Sequence, residues 1–251
     1  MKTHAIKFLK YLAAAVLFAP ALAMASTAMH LDKAPVSTDQ QKLQHGAKLF
    51  VNYCLNCHSA SLMRYNQLQK IGFDKETIEK DLIFTGGNAG SMMTIGMTPD
   101  DGKAWFGTAP PDLSLMARAK ASEFGSGADY LYTYLRSFYR DKNRPTGWNN
   151  KVFANVGMPH ALWDLQGEQA ARETVDEHGA KTVELVAPTV PGNMSAQDFD
   201  EAVADIVSFL VWMGEPVAES RKFIGIFVLI FLVGYYVLTH KLGKTYWKNI
   251  H

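Results

Sequence analysis

Hydrophobic and polar positions follow four different patterns along this chain, and each predicts a different element. At the N-terminus, Lys2, Lys7 and Lys10 precede a short apolar run that ends in Ala23, Met24 and Ala25. A basic start, a short apolar stretch and a small-x-small end predict a secretory leader over 1–25, with the mature chain beginning near Ser26. Residues 223–239 form an uncharged run of seventeen, flanked by Arg221, Lys222 and Lys241. A core helix would show a polar face and this run has none, so it reads as a membrane-spanning helix placed at 221–240. Tyr235, Tyr236 and Trp247 supply aromatic groups of the kind that settle at membrane interfaces. Between the two ends, Leu43, Ala47, Phe50 and Tyr53 recur at helical spacing over 41–53, and Ala202, Ile206, Phe209 and Met213 do so near the end of the body. Ser195 with Asp198 has the spacing of a capping box at the start of that second helix, and Gly214 and Pro216 stop it. The two helices are expected to cross, with the small Gly46 allowing close contact. Residues 181–186 alternate as a strand in a small hairpin, while 86–107 and 167–181 read as surface loops.

A chain of 251 residues with these two appendages leaves room for one globular domain, 26–220, and a tail, 241–251. Lys241, Lys244 and Lys248 follow the span with no acidic residue after Glu219, which puts the tail in the cytoplasm. The body is then exported. Of the 25 Lys and Arg, three lie in the leader and five lie from Arg221 onward, leaving 17 against 24 acidic residues. An exported body of net negative charge suits a basic soluble partner. No internal repeat, phosphate loop, catalytic triad or nucleic-acid motif appears, so no nucleic acid is expected as a partner.

The two cysteines change the picture most. Cys54 and Cys57 stand in C-L-N-C-H with His58 directly after them, the attachment signature of a c-type haem. Each thiol adds to one vinyl group of the porphyrin, and the adjacent imidazole then faces the iron as its proximal ligand. One haem c, covalently bound through Cys54 and Cys57, is therefore expected, held between the two crossing helices. The sixth ligand decides the chemistry, because an open iron face binds small molecules while a filled one leaves electron transfer. Met158, in N-V-G-M-P-H, sits in a Gly and Pro loop able to present a sulfur; Met194 and His160 remain the main alternatives from the residues alone.

Taken together, C-L-N-C-H-S-A, the run A-P-P-D-L-S-L-M-A-R-A-K at 109–120, G-M-P-H and the single C-terminal span resemble the cytochrome c1 family. The resemblance implies a mostly α, cytochrome c-like haem domain with one C-terminal transmembrane helix. It implies the haem subunit of a ubiquinol:cytochrome c reductase, beside cytochrome b and the Rieske iron-sulfur protein, passing electrons from the Rieske cluster to a soluble cytochrome c. The implied location is the bacterial inner membrane, single-pass, with the haem domain in the periplasm. Met158 matches the family's axial methionine. Pro110 and Pro111 would lie against the haem, Arg118 and Lys120 would approach a propionate, and Tyr130 matches a tyrosine of the haem pocket. Lys120 departs from the family, where Arg is frequent. Leu131 and Leu135 beside Tyr130 place that segment in a core helix.

Other readings share parts of this pattern. A free-standing or oxidase-associated anchored cytochrome would use the same motif without those partners. A haem enzyme or gas sensor would need a vacant sixth position, and a haem-free anchor protein would use the cysteines as a disulfide.

Overall fold

The computed structural model describes residues 29–175 and 181–248. The leader, its cleavage site, His178 and the last three residues of the tail lie outside the described residues.

Two helices build the frame. Helix α1, Gln40–Leu49, starts where the Asp39 carboxylate accepts from the N–H groups of Gln41 and Lys42, satisfying donors that the first turn leaves free. It buries Leu43, Gly46 and Ala47 and continues through a π-helical turn, Phe50–Cys54. A strand β1, Ala60–Arg64, follows, then a short helix α2, Lys75–Thr77, and a strand β2, Met92–Met93, which pairs antiparallel with β1. Helix α3, Pro99–Phe106, lies inside the stretch expected to be loop. Its signals are local: Thr98 and Asp101 form a reciprocal capping box, Pro99 occupies the first turn, and Gly107 closes it at φ 75°.

Helix α4, Met116–Ala119, leads to α5, Gly127–Arg136, capped by a Ser126/Asp129 box. Asp129 also accepts from the Ala34 N–H at 2.8 Å and so ties down the N-terminal segment. Strands β3, Phe138–Arg140, and β4, Trp148–Asn150, pair antiparallel. Helix α6, Trp163–Gln166, precedes a hairpin of β5, Gly167–Val175, and β6, Lys181–Pro191. The expected strand at 181–186 is present, but 167–175 is its partner strand and not a loop. The sequence of β5 is hydrophilic with no apolar face, so alternation could not reveal it; its backbone pairing to β6 makes it regular. Gln169 donates to the carbonyls of Arg136 and Phe138, which docks the hairpin onto the body.

Helix α7, Ala196–Gly214, has Ser195 at its N-cap, accepting from the Asp198 N–H. The Ser195 hydroxyl donates to the Asp198 carboxylate at 2.7 Å, so the expected box is half made. Ala202, Ile206, Phe209 and Met213 are buried, as their spacing requires. Helices α1 and α7 cross at Gly46, where any Cβ would run into the backbone carbonyl of Asp205. Phe50 packs on Phe209 at 5.4 Å between ring centroids, and His45 Nδ1 meets the Asp205 carboxylate at 2.8 Å. Only Glu215, Pro216 and Val217 separate α7 from the last helix, α8, Ala218–Tyr246. Within α8, Ser220–Tyr246 is long and apolar enough to cross a membrane, and its most apolar stretch is wholly unburied.

Candidate functional site

Most of the side chains singled out from the sequence converge on one cavity of about 310 Å³, lined mainly by apolar groups. Cys54, Cys57 and His58 form one part of its wall. The amides of Cys57 and His58 both donate to the Cys54 carbonyl, at 3.1 and 2.9 Å, and Leu55 donates to the Phe50 carbonyl at 3.0 Å. This tight turn after the π-helical step brings both sulfurs and the imidazole to the same lining. The cysteines are not paired with each other. Burial, with the neighbouring Cys57 thiol, pushes the Cys54 thiol up to about 12, and burial raises Cys57 as well.

His58 is oriented by a backbone group. Its Nδ1–H donates to the Pro111 carbonyl at 2.7 Å; a carbonyl can only accept, so the lone pair is left on Nε2, the form that binds a metal. Burial lowers the imidazole's pKa, against the Pro111 hydrogen bond and the nearby Asp112 carboxylate, which both raise it. Pro110 and Pro111 line the cavity, and the residues after them strap the wall in place. Asp112 accepts from the amides of Ser61 and Ser114, Leu113 N–H donates to the Ser59 carbonyl, and the Ser114 hydroxyl accepts from Leu62 N–H. The P-P-D-L-S run thus joins the proline wall to the strand that follows the cysteines.

Met158 reaches the same cavity from the loop after β4. That loop is held by polar side chains. Asn150 Oδ1 accepts from the amides of Val152 and Phe153, Asn149 Oδ1 accepts from Asn155 N–H, and Arg144 donates to the Asn155 carbonyl. Asn155 adopts φ 62°, a left-handed conformation that Asn tolerates better than most side chains. Neither of Met158's rivals lines the cavity. Met194 borders a separate polar cleft. His160, 2% exposed, stacks on Phe138 at 4.9 Å and meets the edge of Trp148; burial takes its pKa down to about 4, so it is a neutral packing group there.

Tyr130 and Lys120 also line the cavity, with the Lys120 ammonium 4.9 Å from the Tyr130 ring centroid. Arg118 does not. It turns toward Glu215, just past the end of α7, at 3.6 Å, a carboxylate that Arg221 also meets. Tyr134, Phe106 and Phe153 are lining residues that the sequence reading passed over. Tyr134 had a signal, standing one helical turn after Tyr130; Phe153 had none.

The chain matches the cytochrome C1 family over residues 30–85 and 99–250. It belongs to the cytochrome c1 family. Cytochrome c1 of Allochromatium vinosum is 44% identical over 96% of this chain and 98% of that protein, and cytochrome c1 of Rhodospirillum rubrum is 27% identical over 84% of this chain. A protein of Nitrosomonas europaea named ammonia monooxygenase gamma subunit is 46% identical over 98% of this chain and all of that protein. As a member of this family the chain is an electron-transfer subunit of the cytochrome bc1 complex, and its one long apolar helix fits the single membrane anchor of its relatives. Covalently bound haem c is the cofactor of the family, and the residues present fit it. Two unpaired thiols, an imidazole with Nε2 left free, a thioether and an apolar lining share one cavity.

Proposed function

We propose that this chain carries one haem c, which Cys54 and Cys57 would hold covalently and His58 and Met158 would hold through its iron. In this reading the haem domain, 26–220, stands in the periplasm on an inner-membrane anchor at 221–240, the leader 1–25 is removed, and the tail 241–251 is cytoplasmic. Electrons arrive from a Rieske iron-sulfur protein and leave to a soluble cytochrome c, with cytochrome b as the membrane partner in a ubiquinol:cytochrome c reductase. The observation that carries it is the convergence of Cys54, Cys57, His58 and Met158 on one apolar cavity.

The haem supplies reversible one-electron chemistry at iron. The residues position and shield it. Pro111 fixes the His58 tautomer, the Asn149 and Asn150 amides set the loop that presents Met158, and Leu131, Leu135, Ile206 and Leu210 supply apolar lining. Lys120, the one lysine or arginine in the lining, would hold a haem carboxylate through a charge-assisted hydrogen bond. Arg118, engaged with Glu215, is left to position the start of the anchor. Electron exchange breaks and forms no bond, so no general acid, base or nucleophile is required.

The name of the Nitrosomonas relative supports a second reading, association with a monooxygenase. Copurification from membranes separates the two: cytochrome b and a Rieske protein are expected to accompany this chain. The ligand assignment is tested by optical spectra of the oxidised and reduced protein. The weak long-wavelength band of methionine-ligated ferric haem is expected in the wild type and absent from Met158→Leu. Survival of the band in that variant would assign the ligand elsewhere.

A further inference from the structure

We infer that Tyr134 is a positioning residue for the iron's sixth ligand: its hydroxyl donates to the Met158 thioether and thereby raises the reduction potential. The inference rests on the reading of Met158 as an axial ligand and adds a partner for it.

The geometry is local and well braced. The Tyr134 hydroxyl lies 3.4 Å from Met158 Sδ, within reach of a hydrogen bond to sulfur. A thioether sulfur has two lone pairs, so it can bind iron through one and accept from a hydroxyl through the other. The Tyr134 ring is clamped on two sides, stacked on Tyr130 at 5.9 Å with an 11° tilt and meeting Phe138 edge-on at 5.1 Å. Tyr134 and Met158 pack on the same small cluster of Phe138, Trp148 and Val156.

One amide ties donor and acceptor together. Asn150 Nδ2 donates to the Tyr134 carbonyl at 2.8 Å, while its Oδ1 holds the amides of Val152 and Phe153 at the start of the Met158 loop. Helix α5, which carries the hydroxyl, and the loop, which carries the sulfur, therefore share a fixed spacing. The contact is not an accident of two free rotamers.

The electronic sign follows from the direction of donation. A proton shared with sulfur withdraws electron density from it, and ferric iron depends on that density more than ferrous iron does. The hydrogen bond thus disfavours the oxidised state. A weak neutral hydrogen bond is worth about fivefold in an equilibrium constant. Its loss is expected to lower the ferrous-to-ferric ratio about fivefold at fixed ambient potential, about 40 mV at 59 mV per decade.

The test is a redox titration of the full-length, haem-loaded protein in detergent, wild type against Tyr134→Phe, which removes one oxygen and keeps the ring stack. The expected result is a lower potential with the long-wavelength methionine band retained. An unchanged potential with the band present in both proteins overturns the role of Tyr134 and leaves Met158 standing. A wild type without the band removes the ligand reading itself. A second measurement does not depend on the variant: with labelled methionine methyl groups in the reduced wild-type protein, a through-space NMR contact between the Met158 methyl and the Tyr134 ring is expected. Its absence also overturns the assignment.

Discussion

The two parts of the wall that meet across the haem cavity are held by different forces. The Cys54, Cys57 and His58 side hangs from the crossing of α1 and α7, where buried apolar faces interlock at Gly46 and at the Phe50 and Phe209 rings. The Met158 side hangs from side-chain amides, Asn149 and Asn150, that satisfy loop backbone groups one by one. Apolar packing is spread over many contacts and tolerates the loss of one. A polar loop depends on a few bonds, each costly to leave unmade when buried. The cysteine side of the site is therefore the robust one, and the Met158 side is the adjustable one.

The largest effect is expected at the helix crossing. Gly46→Leu inserts a side chain into the Asp205 carbonyl, so the helices must separate, at a cost of about 3 kcal/mol. Chemical denaturation of the detergent-solubilised protein should show the lower midpoint, together with poor haem incorporation. Asn150→Ala sharpens the contrast from the other side. It strands the Tyr134 carbonyl and two loop amides, about 2 kcal/mol, yet haem should remain covalently attached on a denaturing gel while the methionine band weakens. Equal loss of both signals would mean that the two sides are not independent.

Acid provides the smallest probe, and it acts apart from both sides, where Asp129 ties the N-terminal segment to α5. Burial alone would raise the Asp129 carboxyl, but hydrogen bonds from Ala34 N–H and from Ser126, with the Lys33 ammonium, hold it down to about 2. A depressed carboxyl stabilises the fold above its unfolded value near 3.8, and that contribution fades as pH falls toward about 2. Asp129→Asn should flatten the fall in stability between pH 5 and pH 2.5 relative to the wild type. An unchanged slope would remove Asp129 from the acid response.

This division also explains what could be read from the residues. The crossing helices were legible because packing imposes a repeat of 3.6, visible in Leu43, Ala47 and Phe50 and in Ile206, Phe209 and Met213. The cysteine motif was legible because the chemistry dictates its spacing. The loop scaffold was not: Asn149 and Asn150 are ordinary polar residues until their partners, far along the chain, are in place. Helix α3 was passed over although Thr98, Pro99, Asp101 and Gly107 mark both its ends, because its apolar content is slight. Arg118 and Lys120 looked equivalent in sequence; the turn of α4 sends one to Glu215 and the other to the cavity.

The three residues between α7 and α8 bear on how the subunit is used. Three residues span about 10 Å at most, and Pro216 stiffens one of them. A leash so short leaves the body little freedom to swing about α8.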